Sequence, residues 1–162
     1  MIHLKATGVW ERDEGVLNMI DAGLRAANRS DVRLLAAKHP AQLANEPLDL
    51  LVISPGATGL AGAGLLSCKK ALLPGGIGPL ARTFGTESAI SYGAAPKDTI
   101  TLSSLEGDKM CAALQRELVT VEGTVVERQE LVLPFREGMA PLPFLAAVGA
   151  LLLLGVPPEE IQ

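Results

Sequence analysis

Aromatic side chains are scarce: three phenylalanines, one tyrosine and one tryptophan. Trp10 and Tyr92 therefore read as packing residues, since a base-stacking platform needs several aromatics together. Clustered positive charge is also missing. There are 14 basic against 18 acidic residues, a net charge of −4, and no basic block. Phosphate backbones are gripped by clustered Lys and Arg, so nucleic acid is excluded as a partner. Only two cysteines and two histidines occur. Cys68 and Cys111 form no CxxC, and neither His3 nor His39 stands at metal-ligand spacing from them, so no metal site is expected. Both cysteines read as small buried hydrophobes.

Catalytic signatures are missing in the same way. No Gly-Lys pair exists, so GxxxxGK[ST] cannot be formed. Ser54-Pro55-Gly56 is not a GxSxG elbow. No catalytic residue, cofactor or metal is assigned. The N-terminus has no basic stretch followed by an apolar one, so a cytoplasmic location is expected. The uncharged run Pro141 to Pro157 falls short of the roughly 20 residues a spanning helix needs and carries three prolines, so a membrane is not expected. It reads as a buried helix, with a homo-oligomer interface as the other use for its apolar surface.

What is present suits one domain of 162 residues with a real core, as the 48% hydrophobic content requires. A first strand covers Ile2 to Trp10. Val16, Leu17, Ile20, Leu24 and Ala27 form one helical stripe from Gly15 to Asn28. Asp13 is the expected cap, or the acids from Glu11 to Glu14 favour the positive helix end. Val32 to Ala36 is a second strand, and His39 to Pro47 holds one helical turn. Leu48 to Ser54 is apolar throughout, as in a strand of a parallel sheet covered on both faces. Strands Lys70–Pro74, Ser88–Gly93 and Thr99–Ser103 follow. Leu114–Val121 and Thr124–Leu133 are expected to form a hairpin around Glu122-Gly123. Met139 to Leu154 closes the chain as a helix, stopped by Gly155 and the prolines after it. The fold class is α/β: a three-layer, mostly parallel, Rossmann-like or P-loop-like sheet with an antiparallel hairpin extension.

Three segments are candidate ligand sites, at Thr7 and Gly8, at Gly56, Thr58 and Gly59, and at Gly75 and Gly76. Gly-rich turns after strands let backbone N–H groups approach an anion, and the carboxyl ends of parallel strands are where open α/β sheets bind ligands. The usual ribose-binding acid is missing from positions 80 to 86. Lys5 reads as a strand residue with a solvated head. The acids at Glu11, Asp13 and Glu14, like those at Glu127 and Glu130, alternate with Arg and read as solvated faces.

From Glu87 to Ile161 the order of segments resembles the later half of the central domain of the Mur ligases. Those are ATP-dependent amide ligases of bacterial peptidoglycan synthesis; folylpolyglutamate synthases share the domain. Ser88-Ala89-Ile90-Ser91-Tyr92-Gly93 is similar to their strand ending in Tyr-Gly. Leu131 to Phe135, Gly138, Phe144 to Ala150 and Leu154 to Ile161 are similar to the end of that domain. On the same template, the segment from Ala6 to Gly8 falls where the ATP-binding loop starts, and Leu50 to Ser54 where a magnesium carboxylate is carried. Val9-Trp10-Glu11-Arg12 replaces Gly-Lys-Thr there, Ser54 stands near the expected acid, and Met139-Ala140-Pro141 replaces a His-Asn pair. Phosphoryl transfer without its lysine and metal carboxylate loses its main charge stabilisation. The resemblance thus implies a degenerate, P-loop-lacking relative acting as a binding or assembly protein. The alternative is a small nucleotide- or phosphometabolite-binding enzyme using the Gly-rich turns.

Overall fold

The computed structural model describes residues 3–58, 64, 66–77 and 85–161. Among them the main sheet has eight strands. In chain order these are β1 (Lys5–Trp10), β2 (Val32–Ala37), β3 (Leu48–Ile53), β4 (Ser67–Pro74), β5 (Gly85–Gly93), β6 (Ile100–Glu106), β7 (Lys109–Leu114) and, beyond the small ribbon β8 (Leu118–Val119) and β9 (Val125–Val126), β10 (Gln129–Pro134). The spatial order is β10-β7-β6-β5-β4-β3-β1-β2. β2, β1, β3, β4, β5 and β6 pair in parallel; β7 and β10 extend the sheet antiparallel.

Strand alternation sorts the core into two clusters. Val9, Leu50, Val52, Leu72, Ile90 and Tyr92 point to one face. There they meet helix α1 (Val16–Ala26) and helix α2 (Pro141–Leu153). Trp10, Leu51, Ile53, Ala71 and Leu73 point to the other, where the 3-10 turn Pro40–Leu43 and Leu66 cover them. β1 and β3 are buried along their whole length, including Lys5 and Thr7 of β1 and Asp49 of β3.

The apolar run before Gly155 is α2, and it lies in the centre of the core. Every residue from Leu145 to Leu154 is buried by this same chain. Its hydrophobicity is thus accounted for inside the monomer. Gly149 lets it lie flat on the sheet, because a Cβ there would come within 2.8 Å of Ile100 Cδ1. The helix stops as expected. Gly155 takes a φ of 92°, its N–H donates to the Leu152 carbonyl, and the Val156 N–H donates to that of Leu151. Among the described residues no helix is long and apolar enough to cross a membrane.

The antiparallel extension is present, with a different pairing from the expected one. The tight hairpin joins β6 to β7 at Gly107-Asp108, and β10 returns to pair with β7. Gln115, Arg116 and Glu117 interrupt the first expected arm. Leu131 and Leu133 instead turn inward with Met110 and Ala112, where burial decides register. Glu122-Gly123 does turn the chain, but only between the short strands β8 and β9. α1 also ends sooner than expected, at Ala26, with Asn28 in the left-handed region.

Candidate functional site

The connection from β1 to α1 is the place where a phosphate-binding loop would lie. Here it is filled by the chain's own carboxylates. Gly15, at φ 79°, starts the helix without a side-chain cap of its own. The cap comes from further back. Glu11 Oε1 accepts the N–H groups of Val16 (2.9 Å) and Glu14 (3.1 Å), and Oε2 accepts that of Leu17 (2.9 Å). A carboxylate thus sits where a helix N-terminus concentrates its unpaired donors and the positive end of its dipole. Asp13 is not the cap. It is exposed, takes a φ of 54°, and pairs with Lys38 at 3.3 Å. The expectation of a purely solvated acidic face is likewise corrected for Glu11 and Glu14.

Glu14 ties this connection to the end of β3. Its Oε1 accepts from Ser54 Oγ and from the Arg12 N–H (3.1 Å), and its Oε2 accepts from the Gly56 N–H at 2.9 Å. Ser54 is almost fully buried. Tyr92, at the end of β5, donates its hydroxyl to the Ile53 carbonyl at 2.6 Å. Burial, and secondarily the Glu14 charge, push the Tyr92 phenol well above its usual range.

The sequence candidates are distributed as follows. Thr7 and Gly8 are not in a loop; they lie in the middle of β1. The Thr7 hydroxyl is buried without a partner among the described residues. Gly8 lies under Leu43 and Leu48, whose methyl carbons stand 3.0 Å from where its Cβ would be. Gly56 gives its N–H to Glu14, and Thr58 gives its carbonyl to Trp10 Nε1 at 2.8 Å. Gly59 lies outside the described residues. The Gly75 N–H donates to the Tyr92 carbonyl at 2.8 Å, and the buried Asp98 carboxylate fills the space a Cβ on Gly75 or Gly93 would need. Gly76 is exposed in the same turn. The structure brings together Gly56 and the loop after β1, through Glu14. Of the two readings of the acids before α1, the one that sets them at the positive helix end holds for Glu11; the tie from Glu14 to Ser54 and Gly56 is the part the sequence did not show. Glu11 stands in the segment that replaces Gly-Lys-Thr, and Glu14 follows three residues later.

No family model matches the sequence, and no curated protein matches it. Solved structures do match. One is UDP-N-acetylmuramoylalanyl-D-glutamyl-2,6-diaminopimelate–D-alanyl-D-alanyl ligase from Acinetobacter baumannii, at a TM-score of 0.62 and 16% identity over 98% of this chain. Two crystal structures of MurF from the same organism follow, at TM-scores of 0.58 and 0.60 and 14% identity, over 98% and 99% of this chain. The fold is Mur-ligase-like. The likeness is one of fold, and this chain spans 44% of the length of each of those chains.

At the opposite pole of the Mur-ligase-like sheet lies a second ordered polar cluster. Lys5 does not carry a solvated head. It is buried at the start of β1, where its ammonium pairs with Asp31 at 2.7 Å and with Glu122. Arg29 grips Asp31 with two bonds, 2.8 Å from Nε and 3.0 Å from Nη2, and Nη2 also donates to the Leu154 carbonyl at 2.8 Å. The bonds from Arg29 and Lys5 hold the Asp31 carboxyl far below the usual carboxylate range. Bonds to Asp31 and then Glu122 push the Lys5 ammonium up.

The cysteines are free. Cys68 is buried and Cys111 half-buried. Burial raises the Cys68 thiol, so it holds little thiolate at neutral pH.

Proposed function

We propose that this chain is a Mur-ligase-like domain that does not act on a nucleoside triphosphate and serves instead as a binding or assembly module. One observation carries the reading: the Glu11 carboxylate accepts three N–H groups at the start of α1. Those donors are the ones a bound phosphate uses at a helix N-terminus. A triphosphate approaching the same spot would meet Glu11, Asp13 and Glu14, and like charges repel. Lys38 is turned to Asp13. Binding would use surfaces other than α2, whose apolar side chains are packed in the core.

The alternative, an enzyme holding a nucleotide or phosphometabolite in its Gly-rich turns, has less support. Asp98 puts a carboxylate at the Gly75 turn, and Glu14 already takes the Gly56 N–H.

A calorimetric titration with ATP and magnesium tests the proposal. No saturable heat and no hydrolysis are expected. Tight binding with turnover would overturn it. The cap itself is tested by Glu11→Ala. Losing a carboxylate from a helix N-terminus costs about 1–2 kcal/mol. Urea unfolding should show that loss, and Asp13→Ala should show almost none; equal effects would contradict the assignment of the cap.

A further inference from the structure

A cleft of about 660 Å³ opens at the pole opposite the Glu11 cap. Its walls come from the turn between α1 and β2, the β8–β9 ribbon, and the chain after α2. We propose that this cleft binds an extended segment of a partner protein in which lysine or arginine alternates with apolar residues.

Charge is the first argument. Lys5 is engaged by Asp31 and Glu122, and Arg29 by Asp31. Glu127 and Glu159 also line the cleft, and neither makes an ion pair among the described residues. The wall therefore carries unmatched negative charge, on a chain that is acidic overall. Electrostatic complementarity of this kind selects a cationic occupant.

Shape is the second argument. Val126, Pro157 and Pro158 supply apolar wall between those acids. Val125 and its ribbon partner Val119 are 50% and 40% exposed, so apolar surface continues along β8 and β9 beyond the cleft. A continuing strip suits an extended chain better than a small molecule.

Rigidity is the third. Arg29 bonds the first wall to the Leu154 carbonyl, and the Val121 N–H bonds the ribbon to the Leu153 carbonyl at 2.9 Å. A site held before the partner arrives loses less entropy on binding.

The test uses the whole chain, isotope-labelled for NMR, and a defined probe, acetyl-Lys-Leu-Lys-Leu-Lys-amide. Saturable shifts at Val125, Val126 and Gly155 are expected. Affinity should fall about fivefold in the E127Q/E159Q double variant, as two exposed charges allow. Both positions are exposed, so its thermal melt should match the wild type. Equal shifts from acetyl-Glu-Leu-Glu-Leu-Glu-amide, or shifts scattered over the surface, would overturn the proposal. So would n-hexylamine binding as tightly as the peptide, which would make this a small-amine site. A concentration-dependent dimer in sedimentation that the double variant abolishes would make the occupant a second copy, and would also overturn it. The proposal deepens the binding-module reading. ATP turnover would remove that reading while leaving a peptide result intact; peptide silence would remove only the cleft.

Discussion

Trp10→Ala should lower the free energy of unfolding by about 3–5 kcal/mol, as removal of a large buried aromatic does. Trp10 has no exposed surface. It fills the sheet face that carries no α-helix among the described residues, beside Leu43 and Ile53. Its neighbours on the same face of β1 are Ala6 and Gly8, which are too small to close the space. Its indole N–H also donates to the Thr58 carbonyl and so holds the segment after β3. Trp10→Phe separates the two contributions. It keeps most of the packing and loses the bond, for about 1 kcal/mol plus a smaller cavity term. Urea unfolding followed by far-UV circular dichroism measures both. A loss under 1 kcal/mol for the alanine variant would mean that this face is not packed as described.

Asp31→Asn should cost about 3 kcal/mol, at the lower end of the range for breaking a buried ion pair because Asp31 is about a quarter exposed. The substitution leaves Lys5 and Arg29 close together with one carboxylate, Glu122, between them. For a chain of this size the melting temperature should drop by roughly 6–12 °C. Lys5→Met removes a cation along with its desolvation cost, so it should be milder; the reverse order would contradict the network. The same cluster sets a pH dependence. The Asp31 carboxyl is depressed in the folded state, so its contribution is present above its ordinary value of 3.8 and is lost as pH falls below that. The Lys5 ammonium is raised, so its contribution is present below its ordinary value of 10.5 and is lost as pH rises past it. The contribution of this cluster should therefore be flat across the neutral range. Asp31→Asn should remove this cluster's share of the acid-side loss.

Several particular residues show how far the sequence could be read. The four-residue spacing of Val16, Ile20 and Leu24 located α1, because burial of one helical stripe imposes that period. Of the two readings at its start, Asp13 as cap fails and the acids at the positive helix end hold through Glu11, because capping preferences describe the residue beside the helix. Glu11 reaches the same amides from further back, and that reach depends on the left-handed turns at Asp13 and Gly15. Leu48 to Ile53 announced a doubly covered strand. Yet the same buried setting in β1 holds Lys5, Thr7 and Gly8; Lys5 read as a strand residue with a solvated head, and the resemblance set Ala6 to Gly8 at the start of a loop. Lys5 can be buried because parallel pairing sets it opposite Val32, immediately after Asp31. No local rule contains that neighbour.

By itself, the sequence determined the alternation of strands and helices, the apolar length of α2 and its stop at Gly155, and the absence of a GxxxxGK[ST] motif. These depend on composition and on periods of two and 3.6, which any window of the chain displays. Tertiary structure alone decided three further things. It decided that β10 pairs with β7, that Glu11 and Glu14 turn inward onto backbone amides, and that Arg29, Asp31, Lys5 and Glu122 converge at one pole. Each joins residues far apart in the chain, or reverses the side to which a charge points. Such choices are made by the burial of neighbouring apolar faces, which is a property of the assembled core.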